Sequence, residues 1–227
     1  MTGGANGMGR ACVEQLATDG ADVYILDKDE PALRNLIGEL TGQGHHVDGA
    51  VIDVMDEAAF TSGFETMHEK FGGRLDVMIH IAGASRGGLL ADQTSEDWDW
   101  HYQVNLRSHI IGCKWASKVM ITQGHGAIVT MSSISGLRGD PGWAGYIAMK
   151  AAIMSFTQSL SWELGRRGVR VNAVCPGPVM SDRMLKSIED DKGMVDEYAK
   201  KTALGRLVHP KEVMEAILFL ASDVASA

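Results

Sequence analysis

Five short apolar runs, at residues 23–26, 47–52, 77–81, 127–131 and 169–174, alternate with longer segments whose apolar residues recur at helical spacing. The helical segments are 9–19, 31–40, 57–71, 95–121, 145–164 and 210–221. A run that is apolar on both faces reads as a strand covered on two sides. Strict alternation with helices implies right-handed crossovers and a parallel sheet. The expected fold class is therefore α/β, a Rossmann-like doubly wound parallel sheet with helices on both faces. A chain of 227 residues that is 45% hydrophobic can build one such core, so residues 1–227 are read as a single domain. Residues 180–202 are more polar and mixed in charge, and are read as a candidate substrate lid.

Composition narrows the class of function. The 29 acidic and 21 basic residues give a net charge of −8, which disfavours nucleic acid and anionic membrane as partners. The three cysteines, Cys12, Cys113 and Cys175, are odd in number, far apart and without ligand spacing, which suits a reducing cytoplasm. No apolar run approaches the roughly 20 residues of a membrane span. Small-molecule chemistry in the cytoplasm is the expectation.

The first nine residues contain Thr2-Gly3-Gly4-Ala5-Asn6-Gly7-Met8-Gly9, a glycine-rich turn running straight into an amphipathic helix. Glycines allow backbone angles and a close approach that a β-carbon forbids. The helix start behind them offers free N–H groups and a positive dipole end to a pyrophosphate. A flexible glycine-rich terminus would give the same letters, so the turn gains meaning from its context. Asp27 closes the next apolar run, where a carboxylate can accept hydrogen bonds from both hydroxyls of an adenosine ribose and would repel a 2′-phosphate. Asn6 brings no positive charge to the turn and Lys28 is the nearby cation, so NAD is favoured, with NADP as the alternative. An ordinary capping or surface acid is the plainer reading of Asp27.

A dinucleotide fold also needs an apolar strand before the glycine turn, yet only Met1 precedes Thr2. A further edge strand is likewise expected after the helix at 210–221. The first and last strands therefore read as truncated. Without the first, neighbouring strands are expected to leave backbone groups unpaired at about 1–3 kcal/mol each, unless the sheet closes the gap.

Tyr146 and Lys150 stand four apart on a helical segment and so share a face. A neighbouring ammonium favours the phenolate, which turns a phenol into a usable acid or base. The spacing alone is commonplace on helix surfaces. Ser132 and Ser133, however, follow directly on the apolar run 127–131, at the strand end where parallel sheets bind ligands. Simple turn chemistry would also explain two serines there.

Taken together, the TGxxxGxG turn, Ser133 thirteen residues before Tyr146, the YxxxK pair and Pro176-Gly177 resemble the compact, single-domain branch of the short-chain dehydrogenase/reductase family. The resemblance covers nearly the whole chain and keeps the family's order. It implies that Ser133, rather than Ser132, orients the substrate oxygen and that Tyr146 is the acid or base. Lys150 would tune Tyr146 and hold the nicotinamide ribose, and Asn105 would anchor a water in the proton relay. For the cofactor it implies contacts from Gly3, Asn6, Gly7, Met8, Gly9 and Asp27. Asp53 and Val54 would lie near adenine, Ala82 and Gly83 along the cofactor, and Val179 and Ser181 at the carboxamide beyond Pro176 and Gly177. The chain departs from the pattern at His80-Ile81, where the family usually has asparagine before Ala-Gly. His80 is read as a satisfied strand-end histidine.

The resulting expectation is an NAD-dependent enzyme that interconverts a secondary alcohol and a ketone, with no metal. A dinucleotide-binding regulatory or scaffold protein without turnover is the alternative. Glycine spacing and length disfavour the epimerases and dehydratases of the family's longer branch. Trp98, Trp100 and Trp115 on or near the fourth helix, together with the resemblance, suggest a homo-oligomer, dimer or tetramer.

Overall fold

The computed structural model describes residues 1–181, 184 and 193–226. Five parallel strands form where the apolar runs lie: β1 Val23–Asp27, β2 Val47–Val51, β3 Val77–His80, β4 Gly126–Met131 and β5 Val169–Val174. The helices are α1 Gly7–Thr18, α2 Glu30–Gly42, α3 Glu57–Lys70, α4 Ser95–His101, α5 Ser108–Gln123, α6 Ala144–Gly165, α7 Met194–Lys200 and α8 Pro210–Ala221. Local chemistry sets their ends. Asp29 and Asp56 accept the free N–H groups of Ala32 and Ala59 at the starts of α2 and α3, and Gly124 ends α5 in the left-handed conformation at φ 77°.

Both faces of the sheet are covered. Tyr24, Leu26, Met78, Ile128 and Val171 pack with Phe60, Phe64 and Met67 of α3, Cys113 and Met120 of α5, and Leu164 of α6. On the other face Val23 and Ile25 meet α1 and α2, while Ile79, Val129 and Met131 meet α8. Alternate residues of one strand thus serve opposite layers, as a doubly wound sheet requires.

The expected gap at the first strand is closed by two residues. Thr2 bridges in parallel to both Leu26 and His80, so the order across the sheet runs β2, β1, Thr2, β3, β4, β5. Thr2 N–H donates to Ile79 O at 3.0 Å and Thr2 O accepts from Ile81 N–H at 3.2 Å. Leu26 N–H reaches Met1 O at 2.8 Å, and the Met1 ammonium donates to Tyr24 O at 2.6 Å. Burial pulls that amine down to about 5. The expectation of unpaired neighbours is therefore corrected at this end of the strands. Below Met1 the strands are still parted by a cavity of about 350 Å³, lined by apolar side chains such as Leu16, Tyr24, Phe64, Met67 and Met78.

One expected helix is divided. Residues 95–121 read as a single helix, but Tyr102–Arg107 form a π-helical turn between α4 and α5. Side chains supply bonds across the widened turn: Asn105 Nδ2 donates to His101 O at 3.2 Å, and Ser108 Oγ donates to Val104 O at 2.9 Å. The three tryptophans are partly accounted for within the chain, since Trp115 stacks on Phe64 at 4.8 Å and Trp100 lies under the Arg86 guanidinium at 3.9 Å. Of the expected lid, residues 182, 183 and 185–192 lie outside the described residues. On its far side Lys201 O accepts from Arg138 at 3.5 Å and Lys201 Nζ stands 3.7 Å from Asp140. Among the described residues no helix is long and apolar enough to cross a membrane, and no cluster of ligating side chains is placed to hold a metal.

Candidate active site

The chain leaves Thr2 between β1 and β3, runs first to one side of the sheet through β1 and β2, and then returns to build β3, β4 and β5 on the other. This reversal creates a crevice beyond the carboxyl ends of the strands, the place where open α/β sheets bind ligands. The glycine turn lies there. Gly3 and Gly7 have φ of 66° and 53°, a region most side chains avoid. A β-carbon on Gly9 would stand 1.8 Å from the Gly3 carbonyl oxygen, so the turn closes only on glycine. Behind it α1 begins at Gly7 with no capping side chain on its N–H groups.

Asp27, at the end of β1, is fixed by backbone. Its Oδ2 accepts from Ala5 N–H at 2.9 Å and its Oδ1 from Asp29 N–H at 3.0 Å. Asn6 Nδ2 donates to Asp29 at 2.9 Å, which ties the glycine turn to the residues after β1. Val54 is buried, while the exposed Asp53 carboxylate accepts from Met55 N–H at 3.0 Å and lies 3.8 Å from Lys28 Nζ. Ala82 N–H donates to Thr2 Oγ1 at 3.3 Å, so the loop after β3 is fastened beside the glycine turn.

A second cavity, of about 280 Å³, brings distant sequence together. Met8 of the glycine turn, Gly83, Ser133, Tyr146, Lys150, Pro176, Gly177, Val179 and Ser181 all line it, as do Ile81, Ala84, Met131 and Ser132. The two serines have different duties. Ser132 is buried and its hydroxyl donates to Lys150 O at 2.6 Å, anchoring α6 to the end of β4. Ser133 Oγ accepts from Ser135 N–H at 3.1 Å, which leaves the hydroxyl proton available to a ligand in the cavity.

Lys150 is 3% exposed, and its Nζ donates to Met131 O at 2.8 Å. Burial pulls the ammonium down to about 8. It stands 5.6 Å from the centroid of the Tyr146 ring, one helical turn away on the same face. Asn105, fully buried in the π-helical turn, holds the loop after β3: Nδ2 donates to Ala84 O at 2.8 Å and Oδ1 accepts from Ala84 N–H at 3.2 Å. Asn105 Oδ1 and Lys150 Nζ approach one side of Gly83, 2.9 and 3.4 Å from where a β-carbon would lie.

Periodicity does not reveal the polar layer behind Asn105. His80, His101 and His109 are at most 1% exposed, and the His80 and His109 rings pack with centroids 3.9 Å apart, tilted by 44° to each other. His80 Nε2 meets Ser108 Oγ at 3.2 Å, but His80 Nδ1 has no partner among the described residues, so the reading of a satisfied histidine holds there for one nitrogen only. The sequence signal for this layer is the departure at His80 itself, together with a second histidine at helical spacing from Asn105.

A family model described as "Enoyl-(Acyl carrier protein) reductase" matches residues 3–227. The oxidoreductase UcpA of Escherichia coli (strain K12) is 37% identical over 233 residues, covering 100% of this chain and 88% of that protein. Cyclopentanol dehydrogenase of Comamonas sp. (strain NCIMB 9872) is 36% identical, covering 100% of this chain and 90% of that protein. The crystal structure of a single-substitution variant of actinorhodin polyketide ketoreductase with NADPH superposes at a TM-score of 0.92, with 30% identity over 99% of this chain and 90% of that one. Matched along its whole length in both sequence and shape, the chain belongs to the short-chain dehydrogenase/reductase family.

Proposed function

We propose that this oxidoreductase interconverts a secondary alcohol and a ketone with NAD, using Tyr146 as the acid or base. The observation that carries the reading is the single cavity into which Ser133, Tyr146 and Lys150 converge with the glycine turn and Pro176-Gly177. The residues fit a dinucleotide: a turn that only glycine can close, free N–H groups at the start of α1, and a carboxylate at the end of β1. The nicotinamide, when bound, supplies the hydride acceptor or donor.

The protein handles the oxygen and its proton. Ser133 donates its hydroxyl to the substrate oxygen, and Tyr146 removes the alcohol proton in oxidation or returns it in reduction. The Lys150 ammonium favours the phenolate form of Tyr146, and burial against Met131 O keeps that charge where the phenol can feel it. Asn105, Oδ1 of which approaches the same side of Gly83 as Lys150 Nζ, belongs to the inner end of the proton path. Along a bound cofactor, Gly3, Asn6, Gly7, Met8 and Gly9 would face the pyrophosphate, Asp27 the ribose, and Asp53 and Val54 the adenine. Ala82 and Gly83 would pass beside it, and Pro176, Gly177, Val179 and Ser181 would meet the carboxamide.

Relatives support the reaction class: one is named a cyclopentanol dehydrogenase and one solved structure a ketoreductase. The latter was solved with NADPH, which favours NADP as the second reading. The free cysteines accord with a cytoplasmic setting. Trp162, 85% exposed on α6, supports a homo-oligomer built on that helix. The deciding experiment is Tyr146→Phe, screened with NAD over steroid, sugar, polyol and cyclic alcohols. Turnover should fall by about 10²- to 10⁴-fold while calorimetric NAD affinity stays unchanged. Retained turnover would sink the assignment.

A further inference from the structure

Behind the cavity, the surroundings of Asn105 are built from histidines. Asn105 uses both amide protons on backbone, one on Ala84 O and one on His101 O. Its own backbone carbonyl oxygen is met by Nδ1 of His109, one turn further along. The bonding fixes both tautomers. Ser108 Oγ gives its proton to Val104 O, so it must receive Nε2–H from His80. His109 Nδ1 faces a carbonyl and is therefore the protonated nitrogen. The other nitrogens, His80 Nδ1 and His109 Nε2, carry lone pairs that are buried with no hydrogen-bond partner among the described residues.

Such an arrangement is poor core packing. Each orphaned acceptor costs stability that an apolar side chain of similar size would not. Costs of this kind are expected where a site needs the group for another purpose. Both rings are also kept neutral. Burial pulls His80 down to about 3, helped by Lys150 and the amino terminus, and burial with His80 and Lys150 pulls His109 well below its ordinary value. His109 thus presents one unchanging donor to the Asn105 backbone carbonyl throughout the neutral range.

Resting on the reading of Tyr146 and Lys150 given above, we propose that His109 is a positioning residue for proton transfer. Its Nδ1–H holds the Asn105 backbone carbonyl, and the His80 ring packed behind it sets how deep the π-helical turn presents Asn105 beside Lys150. The role is exerted through Asn105; His109 touches neither substrate nor cofactor.

The test follows Tyr146 ionisation in the ligand-free chain, as the tyrosinate absorbance of each protein minus that of its Tyr146→Phe counterpart. His109→Leu removes the donor, whereas His109→Asn keeps an N–H near the Nδ1 position. His109→Gln moves the donor to the other end of the ring's footprint. We expect His109→Leu and His109→Gln to raise the Tyr146 midpoint by about one pH unit, a tenfold change, and His109→Asn to stay with the wild type. Should His109→Leu not fold, the contrast between Asn and Gln decides alone. A midpoint indifferent to all three overturns the positioning role and leaves the Tyr146 assignment standing. If wild type and Tyr146→Phe show no difference below about pH 10, the assignment fails and this inference with it.

Discussion

The glycine turn and the Tyr146 helix form the two walls of one crevice, and they are shaped by opposite means. At the turn the polar groups offered to a ligand are backbone, and the shape depends on side chains being absent. At the helix the polar groups are side chains, the half-buried Tyr146 and the buried Lys150, whose Nζ is held by Met131 O. The contrast predicts different failures. A β-carbon on Gly9 would meet the Gly3 carbonyl oxygen at 1.8 Å and Gly4 Cα at 2.9 Å, all backbone that cannot step aside. Gly9→Ala should therefore abolish calorimetrically detectable NAD binding and cost about 1–3 kcal/mol of stability. Gly136→Ala puts a β-carbon 2.8 Å from Ala151 N and 2.9 Å from the Lys150 carbonyl carbon. It should displace α6 and lower turnover while NAD still binds. If both variants lose binding alike, the two walls are not independent.

The helix wall should also be the pH-sensitive one. The Lys150 ammonium lies at about 8 in the folded chain against an ordinary 10.5, because burial disfavours its charge. Between those values the unfolded chain holds more protons, so stability rises with pH across the window. The burial cost is fully present below it. Lys150→Met lacks this contribution. The stability difference between wild type and variant should shift towards the wild type by about 2 kcal/mol from about pH 7.5 to about pH 9.5, read by urea unfolding. A flat difference would mean that Lys150 is not buried as an ammonium.

The same contrast governs what the sequence made legible. Glycine spacing, strand positions and the YxxxK pair are local patterns. The strands fall within a residue or two of the apolar runs, and Ser133, Tyr146 and Lys150 meet in one cavity. The break of the fourth helix at Tyr102–Arg107 was not legible, because bonds from Asn105 and Ser108 sustain it and helical periodicity does not register them. The His80 and His109 pair joins β3 to α5, a contact that needs the tertiary fold. At the other wall, two residues that show no strand pattern bridge β1 and β3, since backbone pairing at Thr2 is independent of side-chain alternation.

The smallest expected effect concerns the choice of cofactor at the glycine wall. Asp27 is held by two backbone N–H groups, and the Asp29 carboxylate is tied to Asn6 beside it. Lys28, the nearby cation, stands 3.8 Å from Asp53. A 2′-phosphate placed at the ribose would thus face fixed negative charge, which is the physical content of the proposed NAD preference. Asp27→Ala removes that charge and also the acceptor for Ala5 N–H, so NAD affinity should fall somewhat as the turn loosens. Asp27→Asn removes the charge and keeps one of the two accepting oxygens. The ratio of kcat/KM for NAD over NADP should drop by about tenfold in both, roughly 1.4 kcal/mol, with Asp27→Asn retaining more absolute activity. A drop in Asp27→Ala alone would assign the preference to hydrogen bonding instead of charge, and an unchanged ratio in both would remove Asp27 from cofactor selection.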